Sequence, residues 1–187
     1  MGNASLVYSG NKKFDERYMF EDFIEAVKTD YGISFSKFEI NENDPPDIFA
    51  WMGNKKTNVE IVRLMKQERL ALKSAKGRKK AEKLGNKSTP IEWSKHIYWP
   101  KDEFIHEMYK IIDGKKDKYE KARVCIDCLL IASDELGLPF EDARNWIPDL
   151  KSDATATVRS AFYMSYVAGA SENDAGRWKT VKVFGEL

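Results

Sequence analysis

Pro45-Pro46-Asp47-Ile48-Phe49-Ala50-Trp51-Met52-Gly53-Asn54-Lys55-Lys56-Thr57-Asn58-Val59-Glu60-Ile61-Val62 holds two extended segments around one turn. Asp47 to Met52 and Thr57 to Val62 are rich in aromatic and β-branched residues, and Gly53-Asn54 supplies the turn, so the stretch predicts a β-hairpin. Asp47 opens the first strand behind two prolines, and Glu60 stands inside the second. Strand alternation puts Val59 and Ile61 on one face and Glu60 with Val62 on the other, so Glu60 points into semi-apolar surroundings. Carboxylates on neighbouring strands can share a hard divalent cation, which takes oxygen ligands and, if magnesium, keeps waters and sites for substrate phosphates. Such an ion activates water and offsets charge on a phosphodiester. The plainer readings are a turn-capping Asp47 and a solvated or salt-bridged Glu60.

Outward from the hairpin, Phe20, Phe23, Ile24, Val27 and Tyr31 recur at helical spacing and predict a helix over Phe14 to Asp30, ended by Gly32. Residues 1 to 13 read as a short arm or edge strand, and Ile33 to Ile40 alternates as a strand. Beyond the hairpin, Leu64 to Leu84 favours a solvated helix through its Leu, Ala, Lys, Glu and Arg content. Ile91 to Trp99 is a further candidate strand. Phe104, Ile105, Met108, Ile111 and Ile112 predict a second amphipathic helix, which Tyr119 extends past Gly114. The run 124 to 131 reads as a buried central strand, 139 to 160 as a short helical connection, Ala161 to Val167 as a strand, and Trp178 to Leu187 as an edge segment. The expected architecture is α/β, a mixed central sheet flanked by helices. Without an internal repeat or linker, residues 1–187 are expected to form a single domain with its core over 14–167 and a basic helical insertion at 63–87.

Pro46-Asp47-Ile48 followed by Val59-Glu60-Ile61 resembles the PD-(D/E)xK nuclease superfamily, the restriction-endonuclease-like fold. The order of a helix, the acidic hairpin, a helix and a buried strand is similar to that family's αβββαβ core. The resemblance implies a nuclease that hydrolyses phosphodiester bonds with Mg²⁺ or Mn²⁺, with Asp47 and Glu60 as metal ligands and Glu21 on the first helix as a third. Glu25 competes with Glu21 for that role. The family pattern wants a lysine two residues after the glutamate, and here Val62 takes that place. Some relatives move the lysine to the following helix, where this chain has Ile112-Asp113-Gly114-Lys115-Lys116-Asp117-Lys118-Tyr119. Lys115 and Lys118 share a helix face at this spacing. Lys118 is preferred for the catalytic ammonium and Lys115 for phosphate contact, with a solvated face as the plain alternative. The missing strand lysine also motivates a second reading, a non-catalytic descendant that binds nucleic acid or protein, in the setting of phage or mobile-element defence or anti-defence.

Composition sets the frame for partners. The 187 residues carry 31 Lys+Arg against 30 Asp+Glu, a formal charge of +1, and 42% are hydrophobic, which excludes a mainly disordered chain. The charge is unevenly spread. Arg63, Lys66, Arg69, Lys73, Lys76, Arg78, Lys79, Lys80, Lys83 and Lys87 face only Glu68 and Glu82 within one segment, a footprint suited to nucleic-acid phosphates. Trp93, Tyr98 and Trp99 nearby could stack on unpaired bases or belong to the core. Nucleic acid, by preference DNA, is the expected partner; a homodimer or a protein partner stays open. No apolar run is long enough to span a bilayer and the charged start does not resemble a signal peptide, so no membrane partner and a cytoplasmic location are expected. Cys125 and Cys128 form a C-x-x-C inside an apolar run and read as core residues, and His96 and His106 are isolated.

Overall fold

The computed structural model describes residues 11–43, 45–65, 98–135, 137–167 and 176–187. Helix α1 (Lys12–Tyr31) leads to strands β1 (Lys37–Ile40), β2 (Ile48–Met52) and β3 (Lys55–Arg63). Helix α2 (Lys101–Ala122) precedes β4 (Cys128–Ser133). Helix α3 (Phe140–Trp146) and a 3-10 turn (Ile147–Asp149) then lead to β5 (Ala161–Val167) and β6 (Arg177–Phe184). The six strands form one mixed sheet in the order β1-β2-β3-β4-β5-β6. β1, β2 and β3 are antiparallel neighbours, β3, β4 and β5 run parallel, and β6 returns antiparallel at the far edge. This is an α/β protein with a mixed sheet and helices. Among the described residues, no helix is long and apolar enough to cross a membrane.

Two apolar clusters hold the layers. On one face of the sheet, Met19, Phe20, Phe23 and Val27 of α1 pack on Ile48, Ala50, Val59, Ile61, Leu130 and Phe162. On the other, Phe104, Met108, Ile112 and Tyr119 of α2 pack on Leu129, Ile131, Ala161 and Tyr163. Each fully buried phenylalanine contributes about 2–3 kcal/mol of transfer free energy. The cluster beneath α2 draws Val62 from β3 but no residue from β1 or β2, so the second face of the hairpin lies outside that layer.

Local signals explain the helix ends. The Asn11 side chain accepts hydrogen bonds from the Lys13 and Phe14 amides at the start of α1, so residues 11 to 13 belong to a capped helix rather than to an arm. Gly32 ends α1 with φ +70°, a conformation that glycine adopts without cost. Helix α2 runs through Gly114, whose missing side chain leaves open space, and so carries Tyr119 into the core.

Several element boundaries differ from the expectation. Pairing in β1 starts at Lys37 because its partner ends at the Gly53 turn, while Ile33 and Phe35 pack against the α1 layer without joining the ladder. β4 starts at Cys128 because Asn58 and Asp127 occupy the preceding positions with side-chain hydrogen bonds. Leu64 and Met65 are buried in irregular backbone rather than opening a helix, and Tyr98 and Trp99 are likewise outside any strand. The rest of the expected 64–84 helix and of the 91–99 strand lies outside the described residues. Cys128 is buried, Cys125 half-buried, and both are free thiols.

The last strand is tied back to the first helix. Asp30 Oδ2 accepts from the Thr180 amide at 2.8 Å and from its hydroxyl at 3.0 Å, and Tyr31 Oη accepts from the Lys182 amide at 2.8 Å.

Candidate active site at the start of the hairpin

β3 continues past the point where β2 begins, which leaves the Ile61 amide without a strand partner on that side. The Asp47 carboxylate fills the place, with Oδ2 accepting from Ile61 N at 2.8 Å. Its backbone is fixed as well: Asp47 O accepts from Asn41 N at 2.9 Å, and Asn41 Nδ2 donates to Pro46 O at 2.8 Å. Asp47 is 2% exposed and Glu60 4%. Burial, then the negative charge of Glu60, pushes the Asp47 carboxyl up to about 7, with Glu16 adding to the rise. The Ile61 amide and Lys12 pull the other way without cancelling it.

Glu60 sits between Val59 and Ile61, both of which face α1, so its own side chain emerges on the α2 side. There Lys115 Nζ donates to Glu60 Oε1 at 2.6 Å. Glu60 Oε2 is buried and has no hydrogen-bond partner. From the α1 side, Lys12 Nζ lies 3.4 Å from Asp47 Oδ1 and 3.0 Å from Glu16 Oε1. Glu16 is 3% exposed, with Lys13 Nζ 3.5 Å from Oε2. Three buried carboxylates thus meet three lysines, Lys12 and Lys13 from α1 and Lys115 from the opposite face of the sheet.

The other sequence candidates lie elsewhere. Glu21 is paired with Arg17 at 3.0 Å on the outer side of α1, and Glu25 is exposed one turn on. Glu16 is the α1 carboxylate beside Asp47. Its signal was present in the sequence, since Glu16 lies four and seven residues before Phe20 and Phe23 and so continues the buried stripe. Lys115 reaches Glu60, whereas Lys118 is exposed with its ammonium 5.1 Å from the Tyr119 ring centre. Arg63 ends β3, and its Nε donates to Met19 Sδ at 3.4 Å. Lys66, Arg69, Lys73, Lys76, Arg78, Lys79, Lys80, Lys83 and Lys87 lie outside the described residues, as do Trp93 and His96. Trp99 is fully buried in the α2 core, Tyr98 is exposed, and His106 is exposed on α2.

Among the described residues, no group of three or more His, Cys, Asp or Glu side chains is arranged to hold a metal ion. The donor set nevertheless suits a magnesium-like ion, because Mg²⁺ is held by one or two carboxylates and completes its shell with water and substrate phosphate. The buried, unpartnered Glu60 Oε2 and an Asp47 destabilised as an anion by burial and then by Glu60 are the two features that a divalent cation would relieve. Comparison of the chain with protein families, with curated proteins and with solved structures found no match.

Proposed function

We propose that the protein is a metal-dependent nuclease of the PD-(D/E)xK type, with a restriction-endonuclease-like core, that hydrolyses phosphodiester bonds in nucleic acid. The observation that carries this reading is the Lys115–Glu60 contact: a helix supplies an ammonium beside the hairpin carboxylates where the strand itself offers Val62. Asp47 and Glu60 would hold Mg²⁺ or Mn²⁺, with Glu16 rather than Glu21 as the supporting carboxylate. When bound, such an ion neutralises phosphate charge and acidifies a coordinated water. Asp47 keeps its carboxylate aimed by accepting from Ile61 N, and Glu60 leaves one oxygen available while the other orients Lys115. The Lys115 side chain is 20% exposed, and its ammonium can donate to a phosphate oxygen or a water and stabilise negative charge as it develops. The basic segment from Arg63 to Lys87 would hold the nucleic-acid backbone through phosphate contacts.

A module that binds without cutting is favoured by one observation: Lys115 and Lys12 lie against Glu60 and Asp47 and offset their charge from within the chain. The test is cleavage of supercoiled plasmid, single-stranded DNA and RNA in EDTA, Mg²⁺ or Mn²⁺, comparing the wild type with Asp47→Ala and Glu60→Ala. Metal-dependent cutting that is lost in both variants supports the nuclease. Salt-sensitive binding with no cutting in any metal overturns it in favour of the binding module.

A further inference from the structure

The face of the hairpin that the α2 layer leaves out carries a second constellation. β2 places Ile48 and Ala50 in the α1 core, so Phe49 and Trp51 project from the opposite face, both half-buried. They stand about 7 Å apart along the strand, the spacing of alternate strand residues. Register brings lysines against them from both sides: Trp51 pairs with Lys37 of β1 and with Lys56 of β3. Lys37 Nζ lies 4.0 Å from the Trp51 ring centre, and Lys56 Nζ lies 3.4 Å from that of Phe49 and 5.9 Å from that of Trp51. Both lysines are exposed, so their heads can exchange a ring for another anionic or polar partner. Glu39, 61% exposed, lies 3.5 Å from Lys37 beside this patch.

Two aromatic rings in a row, each with a lysine ammonium over its face, match the needs of unpaired nucleotides: as the exposed lysines move onto phosphates they free the π-faces, on which any base stacks. The patch is continuous with the acidic site, because Lys56, Asn58 and Glu60 occupy one face of β3 and Lys56 lies about 13 Å from Glu60 along the strand. A duplex keeps its base faces stacked inside and has nothing to offer the rings, whereas an extended single strand offers both base and phosphate.

We infer that Phe49 and Trp51 form a stacking platform for single-stranded nucleic acid, with Lys37 and Lys56 on its phosphates, that feeds the strand toward Glu60. The direction toward Glu60 rests on the nuclease reading; binding at the platform does not.

The test is oligonucleotide binding by the full chain in EDTA, with fluorescein-labelled oligo(dT), oligo(rU) and a duplex of mixed sequence. Single strands should bind more tightly than duplex, and Phe49→Ala and Trp51→Ala should each weaken them about tenfold. Trp51→Phe should restore most of the affinity, which separates stacking from general disruption. Lys37→Gln and Lys56→Gln should each lower the slope of log affinity against log salt by about 0.7. Unchanged single-strand affinity in the alanine variants, unchanged salt slopes in the glutamine variants, or tighter binding of the duplex would each overturn the platform. Because the assay contains no metal, absence of cleavage leaves its outcome intact, and cleavage with no effect of the alanine variants removes the platform but not the nuclease.

Discussion

Asp127, at the start of β4, and the Asp47–Glu60 pair, at the start of the hairpin, are carboxylates that touch the same strand, β3, in opposite ways. Asp127 Oδ2 accepts from Asn58 N at 2.9 Å and Oδ1 from Arg159 Nη1 at 2.9 Å. Its own amide donates to Asn58 O, and its carbonyl accepts from the Ser160 hydroxyl at 2.7 Å. Every oxygen is used, and the effect is to pin β3, β4 and the start of β5 together. Two residues along β3, Glu60 leaves a buried oxygen without a partner, and its charge makes the Asp47 anion costly. Burial does not separate the two regions, since Asp127 is 8% exposed, Asp47 2% and Glu60 4%. The difference lies at Glu60, which leaves one oxygen without a partner where Asp127 leaves none. A buried carboxylate oxygen without a partner, beside a second buried carboxylate, is a pattern that calls for an explanation beyond the fold's own contacts.

The contrast can be broken most severely at Glu60. Glu60→Gln should lower metal-dependent cleavage at least about 100-fold, while the midpoint of urea unfolding changes little. Lys115→Ala should fall in the same range, about 100-fold, and a loss confined to stability in either variant would place this pair with Asp127 as scaffold. Asp127→Ala should show the reverse pattern. It leaves the Asn58 amide without its acceptor and costs about 2 kcal/mol by urea titration, moderated because Arg159 is well exposed. Its cleavage rate per folded molecule should be unchanged.

Asp47→Asn sharpens the comparison through pH. The folded Asp47 carboxyl titrates near 7, above its ordinary 3.8, so the fold holds the proton more tightly than the unfolded chain does. That stabilisation is complete below about pH 4 and is lost as pH rises to 7. Asp47→Asn resembles the protonated form at every pH. It should therefore gain about 1 kcal/mol or more over the wild type at pH 8, at about 1.4 kcal/mol per pKa unit, with the gain shrinking toward zero near pH 4. Mg²⁺ should raise the wild-type melting temperature at pH 8 and leave that of Asp47→Asn unmoved. A gain that is independent of pH would remove the like-charge strain from the account. The smallest effect is expected at Glu21: its exposed pair with Arg17 is worth under about 0.5 kcal/mol, and Glu21→Ala should alter neither stability nor cleavage.

Much of this geometry was legible from local patterns. Period-two alternation around the Gly53-Asn54 turn set the hairpin register and brought Asp47 level with Glu60. Ala161 to Val167 was read with the boundaries it has in the fold. The family resemblance, with Val62 where its lysine would stand, pointed to the 115–118 lysines and favoured Lys118, whereas Lys115 is the one that reaches Glu60, because that depends on how α2 rotates over β3. Glu16 was missed because an acidic residue near a helix start reads as surface, and only the extension of the Phe20–Phe23 stripe marks it as buried. Asn41 and Asp127 were invisible as anchors, because their partners lie in loops and strands whose meeting is fixed by tertiary packing.

The tie between α1 and β6 has a kinetic side. Asp30 and Tyr31 must wait for Thr180 and Lys182, about 150 positions further along the chain. During synthesis the hairpin and α1 emerge first, and the hydrogen bonds that α1 makes to β6 can form only once that strand has been made. A nascent chain that stops short of residue 177 carries the hairpin and α1 without the clasp that holds α1 to the far edge of the sheet.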